Sequence, residues 1–207
     1  MAKIIVFSNR KGGTGKSTLC IQFANYLVSK GHNVAVLDAD PQQSIIDLRN
    51  REVTTNPDVK LPWPVQFVGD KAQQYMTQAR QMGDGYILVD CPGTITQTLM
   101  PVFHAADAVI IPFRYDDLIV DSTITFVKVL KQAGVKSKLL FLPNCIDMRI
   151  KNPNEEHIKG IFKQVGEVMP FIKQGVAIQR CSTLRPIDQY QEMTIHRAIT
   201  GILSKLE

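Results

Sequence analysis

The chain is 207 residues long, which gives room for one domain with a sizeable core and is too short for two. Hydrophobic residues make up 44% and charged residues 21%, proportions that exclude a disordered, collagen-like or low-complexity chain. The formal net charge of +5 permits an acidic partner without requiring one.

Four short apolar runs lead the pattern: Ile4 to Phe7, Val34 to Leu37, Ile87 to Val89 and Ala108 to Ile111. Each is rich in β-branched residues, does not alternate, and ends at a polar or turn residue, as strands buried on both faces of a parallel sheet do. Leu139 to Leu142 is a fifth of the same kind, and Val65 to Val68 a minor sixth after a proline-rich loop over 52–64. Between them lie helical repeats. Leu19, Phe23 and Leu27 recur every four residues from Lys16 to Lys30, and Gly31 supplies the stop. Val120, Ile124, Val127 and Leu130 mark a second helix, and Ile195, Ile199, Ile202, Leu203 and Leu206 a third. A further helix is predicted over Glu155 to Val168, with 169–187 left as strand or loop. Strand and helix in alternation predict a single α/β domain over 1–207, a doubly wound and mostly parallel sheet with helices on both faces.

Cys20, Cys91, Cys145 and Cys181 form no C-x-x-C pair, and no histidine cluster completes a zinc site, so a reducing compartment is expected. The N-terminal apolar run is shorter than a signal-peptide core, and no segment is long enough to cross a bilayer. A cytoplasmic location is the expectation that follows.

Chemistry concentrates directly after the first strand, in Asn9-Arg10-Lys11-Gly12-Gly13-Thr14-Gly15-Lys16-Ser17-Thr18, which opens the first helix. Glycines there let the backbone turn tightly and present successive N–H groups to phosphate oxygens at a helix N-terminus. Lys16 is placed for the terminal phosphates and the Ser17 hydroxyl for Mg²⁺. The alternative is a glycine-rich turn with a surface lysine, but such a run arises by chance in a chain of this size with a probability of about 10⁻⁵. The ordinary phosphate loop has a glycine where Arg10 stands, and Lys11 follows it.

Lys-Gly-Gly-Thr-Gly-Lys-Ser-Thr at 11–18 resembles the deviant Walker A motif of the ParA/MinD family, with Lys11 as its signature lysine. Leu37-Asp38-Ala39-Asp40-Pro41-Gln42 is similar to the family's switch I, and Asp90-Cys91-Pro92-Gly93 to its Walker B and switch II. Asp107 to Pro112 and the Asn144 turn also fall in family order, so the likeness spans about residues 3–145 and is nearest to the small plasmid-partition ParA proteins. The resemblance implies a P-loop ATPase that binds ATP and Mg²⁺ and pairs two protomers face to face across two nucleotides. Lys11 would then reach the partner's phosphates, as an arginine finger does in other phosphoryl-transfer enzymes. Lys11 through Thr18, Gly93 and Asn144 are the implied nucleotide contacts, with Asn144 expected at the adenine edge. Asp40 is implied to orient the attacking water, and Asp90 to hold Mg²⁺ through water beside Ser17. Asp38 either contacts the magnesium shell or caps the next element. Cys91 is read as a packing residue, and His32, His104, His157 and His196 are assigned no role.

Basic residues cluster at Lys128, Lys131, Lys136, Lys138, Arg149 and Lys151, and again at Lys159, Lys163, Lys173, Arg180 and Arg185. Such patches, doubled in a dimer, suit non-specific DNA, and the resemblance implies nucleoid association in the ATP state and a ParB-like stimulating adaptor. The alternative within the family is a MinD-like membrane-associated regulator. The Ile195 to Leu206 stripe could lie on lipid, but it has few cations and no aromatic anchor, so membrane binding is not expected. A cluster-bridging electron-transfer ATPase and a small-molecule kinase on the same loop are further rivals. Neither has the cysteine spacing or the substrate pocket it would require in the sequence.

Overall fold

The computed structural model describes all 207 residues. Seven strands, β1 (Lys3–Phe7), β2 (Val34–Asp38), β3 (Val65–Phe67), β4 (Tyr86–Asp90), β5 (Ala108–Phe113), β6 (Lys138–Pro143) and β7 (Glu167–Val168), form one sheet in the order β3-β2-β4-β1-β5-β6-β7. Every pairing is parallel. The helices are α1 (Lys16–Ser29), α2 (Ser44–Thr55), α3 (Ala72–Gln81), α4 (Met100–Ala105), α5 (Asp117–Gln132), α6 (Glu155–Lys163), α7 (Val176–Gln179) and α8 (Gln189–Leu203). β1 lies between β4 and β5, with β5, β6 and β7 following in chain order on one side and β4, β2 and β3 on the other, so the topological switch point falls at the C-terminal end of β1.

The sheet divides the interior into two cores. In β1, Ile4 and Val6 face the layer of α3, α4, α5 and α6, whereas Ile5 and Phe7 face that of α1 and α8. This two-sided burial is why the central strands read as continuous apolar runs. The C-terminal stripe Ile195, Ile199, Ile202 and Leu206 belongs to the second core, so that face of α8 is occupied by protein.

Two sequence expectations need correction. The proline-rich loop begins later than predicted, because α2 continues to Thr55. Its period was obscured by a charged residue on its buried face, Arg49. The helix predicted over Glu155 to Val168 stops at Lys163, and Glu167–Val168 is a strand. Gly166 permits that crossing: a Cβ there would run into the Leu139 carbonyl oxygen, so glycine lets the chain close against β6. Phe162 then locks α6 to the sheet, its ring stacked on Phe141 at 4.3 Å and edge-on to Phe113 at 4.8 Å, pairs each worth about 0.5–1.5 kcal/mol beyond their buried area. Between β7 and α8 the chain is mostly loop and carries only the short α7.

Arg49 binds the second half of the chain to the first. Its guanidinium lies 4.2 Å from the Trp63 ring centroid and donates to the Thr183 hydroxyl, the Thr183 carbonyl and the Trp63 carbonyl at 2.8–3.0 Å. Glu52, one turn further along α2, accepts from the Thr183 N–H at 2.7 Å and its hydroxyl at 2.5 Å. Burial alone would push the arginine toward deprotonation, and the Glu52 charge opposes this. Arg49→Leu leaves these acceptors buried without a donor, and is expected to lower the unfolding free energy by about 2–4 kcal/mol in denaturant titration. A loss below about 0.5 kcal/mol would show that the network does not anchor the 180–185 segment.

Candidate functional site: a glycine-rich loop over a buried carboxylate

The loop from Ser8 to Gly15 leaves β1 at the switch point and is held there by its neighbours. The Ser8 N–H donates to Ile110 O at 3.1 Å and its hydroxyl to Pro92 O at 3.2 Å. The buried Asn9 amide donates to Pro112 O and to the Thr123 hydroxyl, both at 2.8 Å, which fixes the loop against β5 and α5. Gly15 caps α1 at φ +92°, a left-handed backbone that L side chains rarely adopt. From there α1 aims its free N–H groups and positive dipole end at the space above β1 and β4. Gly93 faces the loop from the other side. A Cβ at Gly93 would sit 2.5 Å from the Arg10 carbonyl oxygen, so the turn after β4 touches the loop backbone to backbone.

Below the loop lies Asp90, the last residue of β4, completely buried. Neither carboxylate oxygen has a hydrogen-bond partner. Burial pushes this carboxyl up to about 7, and the Asp38 charge adds to the shift. The Ser17 hydroxyl and the Lys16 ammonium pull it back; the hydroxyl is near enough to favour the carboxylate without reaching hydrogen-bond geometry. An orphaned buried carboxylate beside a hydroxyl and below an anion-binding loop suits a hard cation whose remaining ligands are water and phosphate. No group of three or more His, Cys, Asp or Glu side chains forms a protein-only metal cage, so an ion here would rely on a phosphate ligand. Ser17 and Asp90 therefore fit Mg²⁺ as companions of a bound nucleotide.

The neighbouring acids divide. Asp38 is buried, and its oxygens accept from Asp40 N at 3.2 Å, Ile45 N at 3.1 Å and Ile46 N at 3.4 Å. These bonds cap the start of α2, the second of the two sequence alternatives for Asp38. Its pKa is raised, burial outweighing those N–H bonds. Asp40 is half-buried and accepts from Gln42 N at 3.0 Å through one oxygen, while the other has no partner in the chain. Lys11 is exposed on the loop, pairs with no acid, and bonds only through its backbone, its N–H lying 3.5 Å from Asn9 Oδ1. Lys16, Ser17 and Thr18 stand at the start of α1, and Thr14 is buried in the loop.

Asn144, expected at an adenine edge, lies at the end of β6 against the glycine loop. Its amide nitrogen donates to Thr14 O at 2.8 Å and would be 2.5 Å from a Cβ on Gly15, so its donor clamps the phosphate loop. Its oxygen is buried without a partner. Sequence reasoning also missed Arg114, which reaches from the end of β5 to donate to Gly13 O at 3.2 Å. Its position directly after the strand beside β1 was the available signal. Cys91 is buried, as is Cys20, and burial raises both thiols well above the usual range.

The first basic cluster does not form one surface. Lys128, Lys131 and Lys136 are exposed near the end of α5, whereas Lys151 and the Arg149–Asp147 ion pair follow β6, about 20 Å away at the opposite end of that strand. In the second cluster, Lys159, Lys163 and Lys173 share a groove with Arg197, while Arg180 and Arg185 line a separate pocket.

A parallel sheet with a glycine-rich loop at its switch point, a lysine and a hydroxyl at the following helix, and an acid on the adjacent strand define a phosphate-loop nucleotide-binding fold. The family model of ATPase MipZ matches residues 3–132, and the chain belongs to that family within the ParA/MinD group. Sporulation initiation inhibitor protein Soj of Bacillus subtilis is 26% identical, over 55% of this chain and 59% of its own. An uncharacterised protein of Pseudomonas putida is 28% identical, over 55% and 57%. The chain thus spans less than three fifths of those two relatives, although it covers 82% of the Myxococcus xanthus chromosome partitioning protein ParA at 24% identity. Among solved structures, a plasmid partition protein of Borrelia burgdorferi bound to AMPPNP superposes with a TM-score of 0.77 over 99% of both chains at 17% identity. The Aquifex aeolicus MinC:MinD complex gives 0.75 at 19% identity, covering 98% of this chain and 96% of that one. These likenesses establish the fold.

The Asp90 shift has a stability consequence with a definite sign. Unfolded, the residue titrates near 3.8; folded and without nucleotide, near 7, so between those values the folded chain retains a proton that the unfolded chain has released. Stability then falls as pH rises through that window, by up to about 4 kcal/mol. Asp90→Asn removes this dependence. Without nucleotide the variant is expected to be more stable than the parent at pH 8, with the difference shrinking toward pH 4 in denaturant unfolding. A difference that does not change with pH would contradict the buried, unpartnered carboxylate.

Proposed function

We propose that the chain is a Mg²⁺-dependent ATP hydrolase that dimerises across two ATP molecules, binds DNA non-specifically in that state, and positions or segregates a plasmid or other cargo under the control of a ParB-like adaptor. The observation that carries the nucleotide reading is the orphaned Asp90 carboxylate beneath a glycine loop and beside Ser17. Family membership supports the ATPase class.

In this reading the N–H groups of residues 12–18 cradle the phosphates, Lys16 neutralises the terminal ones, and Asn144 and Arg114 hold the loop carbonyls of Thr14 and Gly13 out of the way. The Ser17 hydroxyl, and Asp90 through water, would hold Mg²⁺, which when bound would supply charge neutralisation at the phosphate oxygens. The free oxygen of Asp40 accepts a hydrogen bond from the attacking water and orients it toward the terminal phosphorus. The water oxygen forms the new P–O bond as the bond to the leaving oxygen of ADP breaks, and the proton that the water gives up ends on the released phosphate. Gly93, already in contact with the loop, is placed to donate its N–H to the terminal phosphate. Lys11, exposed and unpaired, crosses to the partner's nucleotide and stabilises the charge on the phosphoryl group in flight. The membrane alternative loses its feature, because the apolar stripe of α8 is packed on the sheet.

Lys16→Ala is expected to abolish ATP binding by calorimetry. Lys11→Ala should leave binding in place, abolish the ATP-dependent dimer in light scattering and lower turnover by about 10³; an unchanged dimer would refute its role across the interface. Asp40→Ala should keep the dimer and stop turnover, and normal turnover would remove it from the mechanism. Charge reversal of Lys128, Lys131 and Lys136 is expected to weaken binding to random duplex DNA and flatten its salt dependence, with ATP affinity unchanged. Equal DNA affinity at low salt would eliminate the end of α5 as the DNA surface.

A further inference from the structure

The loop chain beyond β7 continues the sheet without closing it. Ile172 N donates to Pro143 O at 2.8 Å and Gln174 N to Ile146 O at 2.9 Å, so the segment from Met169 to Gln174 runs beside β6 and its continuation. The intervening N–H groups, those of Phe171 and Lys173, have no acceptor in the chain. This is an open sheet edge, a template for a further strand. It opens onto a groove of about 540 Å³ between α6 and α8.

The groove combines two kinds of uncompensated surface. Phe171 is 45% exposed and Met193, on α8, 71% exposed, so two large apolar side chains meet solvent where the edge is open. Around them stand Lys163, Lys173 and Arg197, none of which pairs with an acid. Lys159 is the exception, neutralised by Glu155 at 2.7 Å and Glu156 at 2.9 Å. A duplex phosphate backbone would use the cations but neither the apolar pair nor the unpaired N–H groups. An extended polypeptide uses all three, because alternate side chains of an added strand face opposite sides.

We infer that the open edge from Met169 to Gln174 docks an extended acidic segment of a partner protein, which adds to the sheet as a strand, sets carboxylates against Lys163, Lys173 and Arg197, and places apolar side chains on Phe171 and Met193. The inference does not depend on ATP hydrolysis, since the edge and groove are present in the nucleotide-free protein.

The test is a selection of random twelve-residue displayed peptides on the full chain with saturating Mg-ATP, with counter-selection against the combined Lys163→Glu, Lys173→Glu, Arg197→Glu variant. Sequences alternating Asp or Glu with apolar residues are expected. A synthetic peptide of the selected consensus should bind about tenfold or more weakly to the charge-reversal variant and to a Phe171→Ser, Met193→Ser variant. Both variants change exposed side chains, and retained ATP affinity and circular dichroism confirm that they fold. Failure to enrich peptides specific to the parent, a consensus without acids, or affinity unchanged by the reversals would overturn the inference. Loss of duplex DNA binding in the reversal variant with peptide binding preserved would overturn it in favour of a nucleic-acid surface.

Discussion

The structure turns on an electrostatic debt at the centre of the sheet: Asp90 is buried at the end of β4 with both oxygens unpartnered, and its proton is retained close to neutral pH. A carboxylate so placed is costly unless a cation joins it. The surrounding features answer that demand. β1 delivers a glycine loop above it, α1 starts beside it with Lys16 and Ser17, and the turn at Gly93 closes against the loop backbone. A protein that simply had to be stable would place an apolar residue at position 90, so the unpaired acid points to a ligand.

The loop is held from outside through its carbonyls and buried amides. Asn9 is held by β5 and α5, while Asn144 and Arg114, from the turns after β6 and β5, hold the carbonyls of Thr14 and Gly13. These bonds fix the backbone so that its N–H groups are directed before a phosphate arrives, and preorganisation of this kind lowers the reorganisation needed on binding. Asp38 extends the same order outward. By capping α2 it ties the segment carrying Asp40 to a helix whose Arg49 and Glu52 grip Thr183. Asp40 and the loop leading into α8 therefore belong to one packed unit.

Much of this was legible in the sequence, for physical reasons that also explain what was not. Strands buried on both faces announce themselves as β-branched runs, and a glycine loop between such a strand and an amphipathic helix is a dense local signal. Long-range pairing is not. The destination of the Asn144 amide depends on where β6 lies relative to the loop, and Arg114 is visible only once β5 is known to neighbour β1. The helix predicted to run on to Val168 failed because Gly166 fits against Leu139 O, a contact made across the sheet. α2 escaped notice because its buried face includes Arg49, whose charge hides in a stack on Trp63. Cations near in sequence proved distant in space, because a parallel strand separates its two ends.

The account is tested most directly by crystals grown with a non-hydrolysable ATP analogue and Mn²⁺ in place of Mg²⁺, with the metal located by its anomalous scattering. The predicted result is a manganese peak ligated by the Ser17 hydroxyl and the nucleotide phosphates, with Asp90 accepting hydrogen bonds from its coordinated water. A nucleotide bound away from the 11–18 loop, or seated there with no metal near Asp90, would contradict it.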